Sequence, residues 1–291
     1  MSLNVFILGG TGLIGRGVVR ELVAHGHPVN ALSRSPASDK ALEDLGARAV
    51  RGDMRAPEEW RNHPKDADAV VQVAATFDDD MGAVDAAVID ALEAGASERS
   101  EPLQVVYTGG CWLYGATGDE VADEARPFAP IPAFDWMVHH AKRLMANDAL
   151  AVAVLHPAMV YAKGQGVFDR FVDAAREHRP IPIWGAAGTR WPLVHRDDLA
   201  VAYRLVLEAG LTGHYNVSAE VGVPVSRIAA VIADRAQSTS GIEVRSAVEV
   251  VAEHGDWAVG PTLDQQMASA ALRRAVGWTP RFSAFEDAEL F

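Results

Sequence analysis

The stretch ILGGTGLIGRGVV, residues 7 to 19, sets glycines at 9, 10, 12, 15 and 17 between an apolar run and an amphipathic one. Gly9, Gly12 and Gly15 are spaced GxxGxxG, and Gly10, Gly12 and Gly15 also satisfy GxGxxG. Glycines so spaced where a strand turns into a helix permit a tight turn, a close approach of backbone to a pyrophosphate, and close packing of helix on sheet. The helix N-terminus adds free amide donors and a positive dipole end. The loop therefore predicts a phosphate cradle for a dinucleotide, against the plainer reading of a tight turn alone.

The rest of the N-terminal half fits that reading. Short apolar runs (NVFIL, PVNALS, ARAV, DAVVQVAA, LQVVYT) alternate with helical patterns, among them LIGRGVVRELVAHG and AVDAAVIDALEAGA. Strands of this kind, bounded by Gly or Asp and separated by amphipathic helices, predict a parallel sheet covered on both faces. The fold class expected is a doubly wound α/β domain, a Rossmann fold, with a smaller C-terminal substrate region. A helix is expected at about 134 to 148 and a strand at 151 to 157. After Tyr161 the pattern loosens around Gly164, Gly166, Pro180, Pro182 and Gly185. We place the seam near residue 160, with a dinucleotide-binding domain over 1–160 and a substrate region over 161–291 interleaved with the last strands of the sheet.

Charge and cysteine usage narrow the partners. A formal net charge of -13 argues against nucleic acid or anionic membrane as the main partner, since both reward a basic surface. Cys111 is the one cysteine, so no internal disulfide can form, which suits a reducing compartment. No run is long and apolar enough to span a bilayer and NVFIL follows the N-terminus directly, so a cytoplasmic protein with a small-molecule substrate is expected. No metal-ligand spacing such as HExxH occurs, and no metal is expected.

Cofactor choice is read at the second strand. About twenty residues past the glycine loop, a site for NAD carries an acidic group on the ribose hydroxyl. This chain has LSRSP there, and Ser33 with Arg34 suits a 2′-phosphate instead. NADP is expected in preference to NAD. Asp53, after the third strand, either accepts from the adenine amino group or caps a turn. Ala74 and Ala75 are small enough to let a cofactor lie against backbone, and core packing explains them equally well. The cofactor set is Gly9, Thr11, Gly12, Leu13, Ile14, Gly15, Ser33, Arg34, Asp53, Met54, Ala74, Ala75, Lys142 and Pro157.

With GGTGLIG, YTGGCWLYG at 107–115, LHPAMVYAKGQG at 156–167, WPLVHRDDLAVAY at 191–203 and the closing ALRRAVGWTPRF, the chain resembles the short-chain dehydrogenase/reductase superfamily over nearly its full length. The likeness is to the extended and atypical branch of nucleotide-sugar epimerases and dehydratases. His156 stands where that branch usually has an arginine. The resemblance implies a tyrosine four residues before a lysine as proton relay, and a serine or threonine on the fifth strand that positions the reacting oxygen. Lys142 matches the lysine, but Val138 occupies the tyrosine position and Gly110 the serine position. None of the five tyrosines precedes a lysine at that spacing.

Lys142 can still hold the nicotinamide ribose, as the resemblance implies. Val138, His139 and Lys142 share a helix face, and imidazole titrates near neutral pH, so His139 or His140 can stand in as acid or remain a plain helix-face residue. Thr108 and Tyr114 carry hydroxyls beside the expected site. The catalytic candidates are Lys142, His139, Thr108 and Tyr114. Trp112, Trp136, Trp184 and Trp191 read as cleft lining or core, and Arg170 and Arg190 as available phosphate binders. The function expected is an NAD(P)-binding epimerase/dehydratase-like or oxidoreductase protein acting on a small molecule, a nucleotide sugar being one candidate. The alternative is a catalytically silent NADP-binding regulator or redox sensor. The resemblance also implies a homodimer paired through a four-helix contact that includes the 134–148 helix.

Overall fold

The computed structural model describes residues 2–291. In chain order the elements that matter here begin with β1 (Val5–Leu8), α1 (Leu13–Ala24), β2 (Val29–Ser33), α2 (Pro36–Glu43), β3 (Arg48–Arg51), β4 (Ala69–Gln72), α3 (Met81–Ser97), β5 (Leu103–Thr108), α4 (Asp135–Met145) and β6 (Leu150–Pro157). They continue with β7 (Met159–Ala162), β8 (Gln165–Gly166), α5 (Asp169–Arg176), β9 (Ile181–Trp184), β10 (Arg190–His195), α6 (Arg196–Glu208), β11 (Gly213–Val217), β12 (Glu220–Pro224), α7 (Val225–Arg235), β13 (Ile242–Arg245) and α8 (Ala247–His254).

The large sheet has seven strands in the order β11-β6-β5-β4-β1-β2-β3. β1 pairs in parallel with β2 and β4, and β4–β5 and β5–β6 are parallel as well. The order reverses at β1, the switch point beside which open α/β sheets bind ligands. This is the doubly wound α/β fold expected from the alternation of runs. All four β1 residues, Val5 to Leu8, are buried, as a strand covered on both faces requires.

The chain divides into two compact units. Unit 1 comprises residues 1–109, 136–155 and 199–215; unit 2 comprises 110–135, 156–198 and 216–291. In unit 1 one hydrophobic cluster joins Phe6, Leu8, Val70, Val88, Leu92, Val105 and Leu144, so strands and helices share a core. Burying each such side chain stabilises by about 1.5–3 kcal/mol before entropy is counted. Unit 2 contains a four-stranded sheet, β12-β10-β7-β8, and a two-stranded one, β13-β9. Asp198 fastens its C-terminal segment, accepting from the Arg281 and Phe282 amides at 2.8 and 2.9 Å while its carbonyl accepts from Trp278 Nε1 at 3.0 Å. Among the described residues no helix is long and apolar enough to cross a membrane.

Candidate functional site

The glycine loop in unit 1 owes its shape to the missing side chains. Gly9 has φ +91°, where an L side chain is strained, and an added Cβ there would sit 2.8 Å from the Ala74 backbone. A Cβ on Gly15 would lie 2.0 Å from the Gly9 carbonyl oxygen, so α1 approaches the loop only because that position is bare. Gly12 caps α1 with no side-chain hydrogen bond, its amide donating to Gly9 O at 3.0 Å. The first turn of α1, which holds Leu13, Ile14 and Gly15, contains no acidic residue. Its amides and dipole thus present a positive end that no side chain of the cap or first turn neutralises. Thr11 is half-buried and its carbonyl accepts from Arg16 Nε at 3.0 Å.

At the end of β2, Ser33 is buried and its hydroxyl donates to Ser35 O at 3.2 Å. Ser35 in turn caps α2, accepting from the Ser38 amide at 3.1 Å, with Pro36 in the first turn. Arg34 lies between these two fixed serines, exposed, and has no hydrogen-bond or ion-pair partner among the described residues. Its neighbour Arg51 is committed to Asp39.

Asp53 shapes the turn after β3: its carboxylate accepts from the Arg55 amide at 2.9 Å and its carbonyl from Trp60 Nε1 at 2.8 Å. Met54 packs on the unit 1 core. Ala74 and Ala75 lie just past β4, which ends at Gln72, and Ala74 is the residue against which Gly9 is pressed. Pro157 closes β6 and belongs to unit 2.

On α4, Lys142 and His139 are exposed and neither has a partner among the described residues. His140, on the other side of the helix, is anchored instead: its Nδ1 lies 2.7 Å from Asp85 Oδ2. The Tyr107 hydroxyl donates to the same oxygen at 2.8 Å, and Gln72 Nε2 donates to Asp85 Oδ1 at 2.9 Å. Burial, and then the charge of Asp85, pushes the Tyr107 phenol well above its ordinary value, so it stays a neutral donor. Thr108 donates its hydroxyl to Gln72 O at 2.7 Å and lies 2.6 Å from the Tyr203 hydroxyl.

In unit 2 the Tyr114 hydroxyl donates to Asn216 Oδ1 at 2.8 Å, its ring packs on Phe128 and His156, and burial raises its phenol. Burial pushes the Cys111 thiol up to about 12, which leaves it protonated and inert as a nucleophile at neutral pH. Arg190 is taken by Asp264 and Asp119. No group of His, Cys, Asp and Glu able to hold a metal occurs among the described residues.

The structure thus keeps Gly9 to Gly15, Ser33, Arg34, Asp53 and Ala74 within unit 1 and leaves Tyr114 and Pro157 in unit 2. The carboxylate Asp85 was not among the sequence-derived candidates. Its one visible signal is an acid on the apolar stripe of AVDAAVIDAL, where helical spacing calls for a hydrophobe.

A strand, a bare glycine turn and a helix N-terminus on a parallel sheet define a dinucleotide-binding α/β protein. The chain belongs to the NAD dependent epimerase/dehydratase family, whose sequence model matches residues 5–218. It is 27% identical over 290 residues to an uncharacterized protein of Schizosaccharomyces pombe, covering 97% of this chain and 96% of that one. It is 25% identical over 229 residues to the sterol-4-alpha-carboxylate 3-dehydrogenase, decarboxylating, of Dictyostelium discoideum, covering 71% and 68%. Its fold is similar to that of the dTDP-glucose 4,6-dehydratase DesIV of Streptomyces venezuelae, solved with NAD and TYD bound, with a TM-score of 0.82, 19% identity and coverage of 98% and 94%.

Proposed function

We propose that this protein is an NADP-dependent oxidoreductase that exchanges a hydride with a small-molecule carbonyl or alcohol. The observation that carries the reading is the cradle: a helix start without acidic or capping side chains, pressed against a loop that tolerates no Cβ at Gly15. The amides of Leu13, Ile14 and Gly15 hold the pyrophosphate. Arg34, unpartnered between Ser33 and Ser35, takes the 2′-phosphate as a charge-assisted donor. When bound, the nicotinamide supplies or accepts the hydride.

Lys142 holds the ribose hydroxyls from α4. His139 shares its face at a spacing of three residues and moves the proton at an imidazole nitrogen, in place of the tyrosine that Val138 displaces. His140 does not, because Asp85 holds it on the opposite side. A dehydrogenase or reductase is favoured over a sugar-nucleotide epimerase by the relative named sterol-4-alpha-carboxylate 3-dehydrogenase, decarboxylating.

A second reading, a silent NADP-binding regulator, is favoured by two observations: Val138 has no transferable proton, and the Thr108 hydroxyl is already bonded to Gln72 O. The two readings separate in a turnover assay that follows NADPH absorbance against a panel of small ketones and 3-oxo acids. Oxidoreductase chemistry predicts consumption that falls roughly a hundredfold or more in His139→Ala, a typical loss for a general acid. Cofactor binding without turnover on any member of the panel supports the regulator.

A further inference from the structure

Unit 2 buries two donors of a half-buried cation without burying an anion for them. Arg170, on the first turn of α5, places Cζ 4.2 Å from the ring centroid of Trp184, 5.0 Å from Phe171 and 5.3 Å from Trp191. Its Nε and Nη2 are sealed from solvent and have no hydrogen-bond partner. Burial pulls the guanidinium down to about 10, which still leaves it charged at neutral pH. The nearest carboxylates in sequence do not serve it. Asp169 accepts from the Gly166 amide at 3.0 Å, and Asp173 is exposed.

Aromatic faces stabilise a desolvated guanidinium by about 2 kcal/mol. They do nothing for its in-plane N–H groups, each of which costs about 1–3 kcal/mol when buried and unpaired. Nε and Nη2 form one edge of the guanidinium, a fork of two parallel donors that matches the two oxygens of a carboxylate. Cζ lies over three rings, and the two donors of the fork are the part of the guanidinium that the chain leaves unsatisfied.

The surroundings are built rather than loose. Trp191 donates Nε1 to Pro261 O at 2.9 Å, and Trp184 clusters with Val250 and Ala258 and stacks on His254 at 4.7 Å. The turn at Asp256–Thr262 that carries Ala258 and Pro261 also carries Gly260, on which Trp112 lies so closely that a Cβ would come within 2.4 Å of its ring. Trp112 Nε1 is another buried donor without a partner. The neighbouring cations are spent on acids of the chain, Arg190 on Asp264 and Arg245 on Glu253. One positive charge is left over, enough for a monoanion and too little for a nucleoside diphosphate.

We propose that Arg170, Phe171, Trp184 and Trp191 form a recognition site for a monocarboxylate with an apolar body, the carboxylate accepting from Nε and Nη2 while the body lies against the tryptophans. Calling that ligand the substrate rests on the oxidoreductase reading above; the site itself rests on unit 2 alone.

Trp184 and Trp191 give the test its signal. Intrinsic fluorescence of the full chain is titrated with butanoate and benzoate, with benzamide, inorganic phosphate and UDP as comparisons, and NADPH is titrated separately on the same preparations. The proposal expects a saturable response to at least one carboxylate, none to benzamide, and weaker responses to phosphate and UDP. Arg170→Met and Arg170→Lys should weaken carboxylate binding at least roughly tenfold, the second because an ammonium lacks the fork. Arg170→Met should also melt no lower than the parent without ligand, because it removes a buried uncompensated charge, and should lose the upward shift in Tm that the carboxylate gives the parent.

Equal responses to benzoate and benzamide, a stronger response to UDP, or an undiminished response in Arg170→Met overturns the site. A chain that binds NADPH and ignores both carboxylates overturns this inference while leaving the oxidoreductase reading in place. Carboxylate binding without any NADPH binding does the reverse.

Discussion

His140 Nδ1 sits 2.7 Å from Asp85 Oδ2, and that oxygen also accepts from the Tyr107 hydroxyl at 2.8 Å. The bond ties α4 to α3 and to β5 on the side of α4 that faces away from Lys142. It makes one of two adjacent histidines structural and leaves the other, His139, exposed. Asp85 is nearly fully buried, so removing it leaves an imidazole, a phenol and an amide without their acceptor. Asp85→Ala is expected to destabilise the protein by about 3–5 kcal/mol in denaturant unfolding. His139→Ala is expected to change stability by less than about 0.5 kcal/mol.

The glycines of the cradle separate fold from function. Gly15→Ala would force a Cβ to 2.0 Å from Gly9 O, and it is expected to cost about 3 kcal/mol or more as α1 is pushed off the loop. Gly12 has φ -73°, and its Cβ would meet Gly9 O at 3.4 Å, an ordinary contact. Gly12→Ala should therefore fold, at a cost near 1 kcal/mol, yet lose NADPH affinity at least roughly tenfold because the methyl stands where backbone must meet the pyrophosphate. Parallel melting and binding curves for the two variants check this.

How much of this was legible beforehand depended on sequence distance. The strand, glycine turn and helix at residues 5–24 are local, so spacing alone revealed them. The 3.6-residue period put Val138, His139 and Lys142 on one face of a helix, though the helix runs from Asp135 to Met145 rather than to about 148. The fourth strand stops at Gln72, short of Ala74 and Ala75, and Ala74 lies beyond it against Gly9. What could not be read were polar contacts between distant segments. Asp85 meets Tyr107 and His140 across 22 and 55 positions, and Thr108 meets Tyr203 across 95. No local pattern encodes such pairings. The unpaired edge of Arg170 is likewise visible only once three aromatic rings have closed around it.

Glu220 gives a pH prediction. Burial is the main cause that lifts its carboxyl to about 7, and the charges of Glu286 and Asp287 add to it against the lowering by the Phe285 amide and Arg227. The folded-state value lies above the unfolded one of about 4.3, so the folded chain binds the extra proton between the two. Stability therefore falls as pH rises through that window and is flat above it. Glu220→Gln should melt higher than the parent by roughly 2–4 °C near pH 8, and the gap should close as pH falls toward 4.

Arg34 is expected to set cofactor preference. Removing a single charge-assisted contact costs about 1.5–3 kcal/mol, so Arg34→Ala should weaken NADPH binding by roughly tenfold or more and leave NADH within about twofold. Fluorescence titration of both dinucleotides checks the ratio.

Val138→Tyr restores a phenol four residues ahead of Lys142. A faster turnover in this variant, at unchanged NADPH affinity, is the expected outcome if proton supply limits the parent; the rate on the best member of the ketone panel measures it.

The most direct test of the central claim is calorimetric titration of the full chain with NADPH. Saturable binding at one site, tighter than for NADH and lost in Gly12→Ala, is the predicted result. No heat of binding with either dinucleotide, from a chain shown by its melting curve to be folded, would contradict the account.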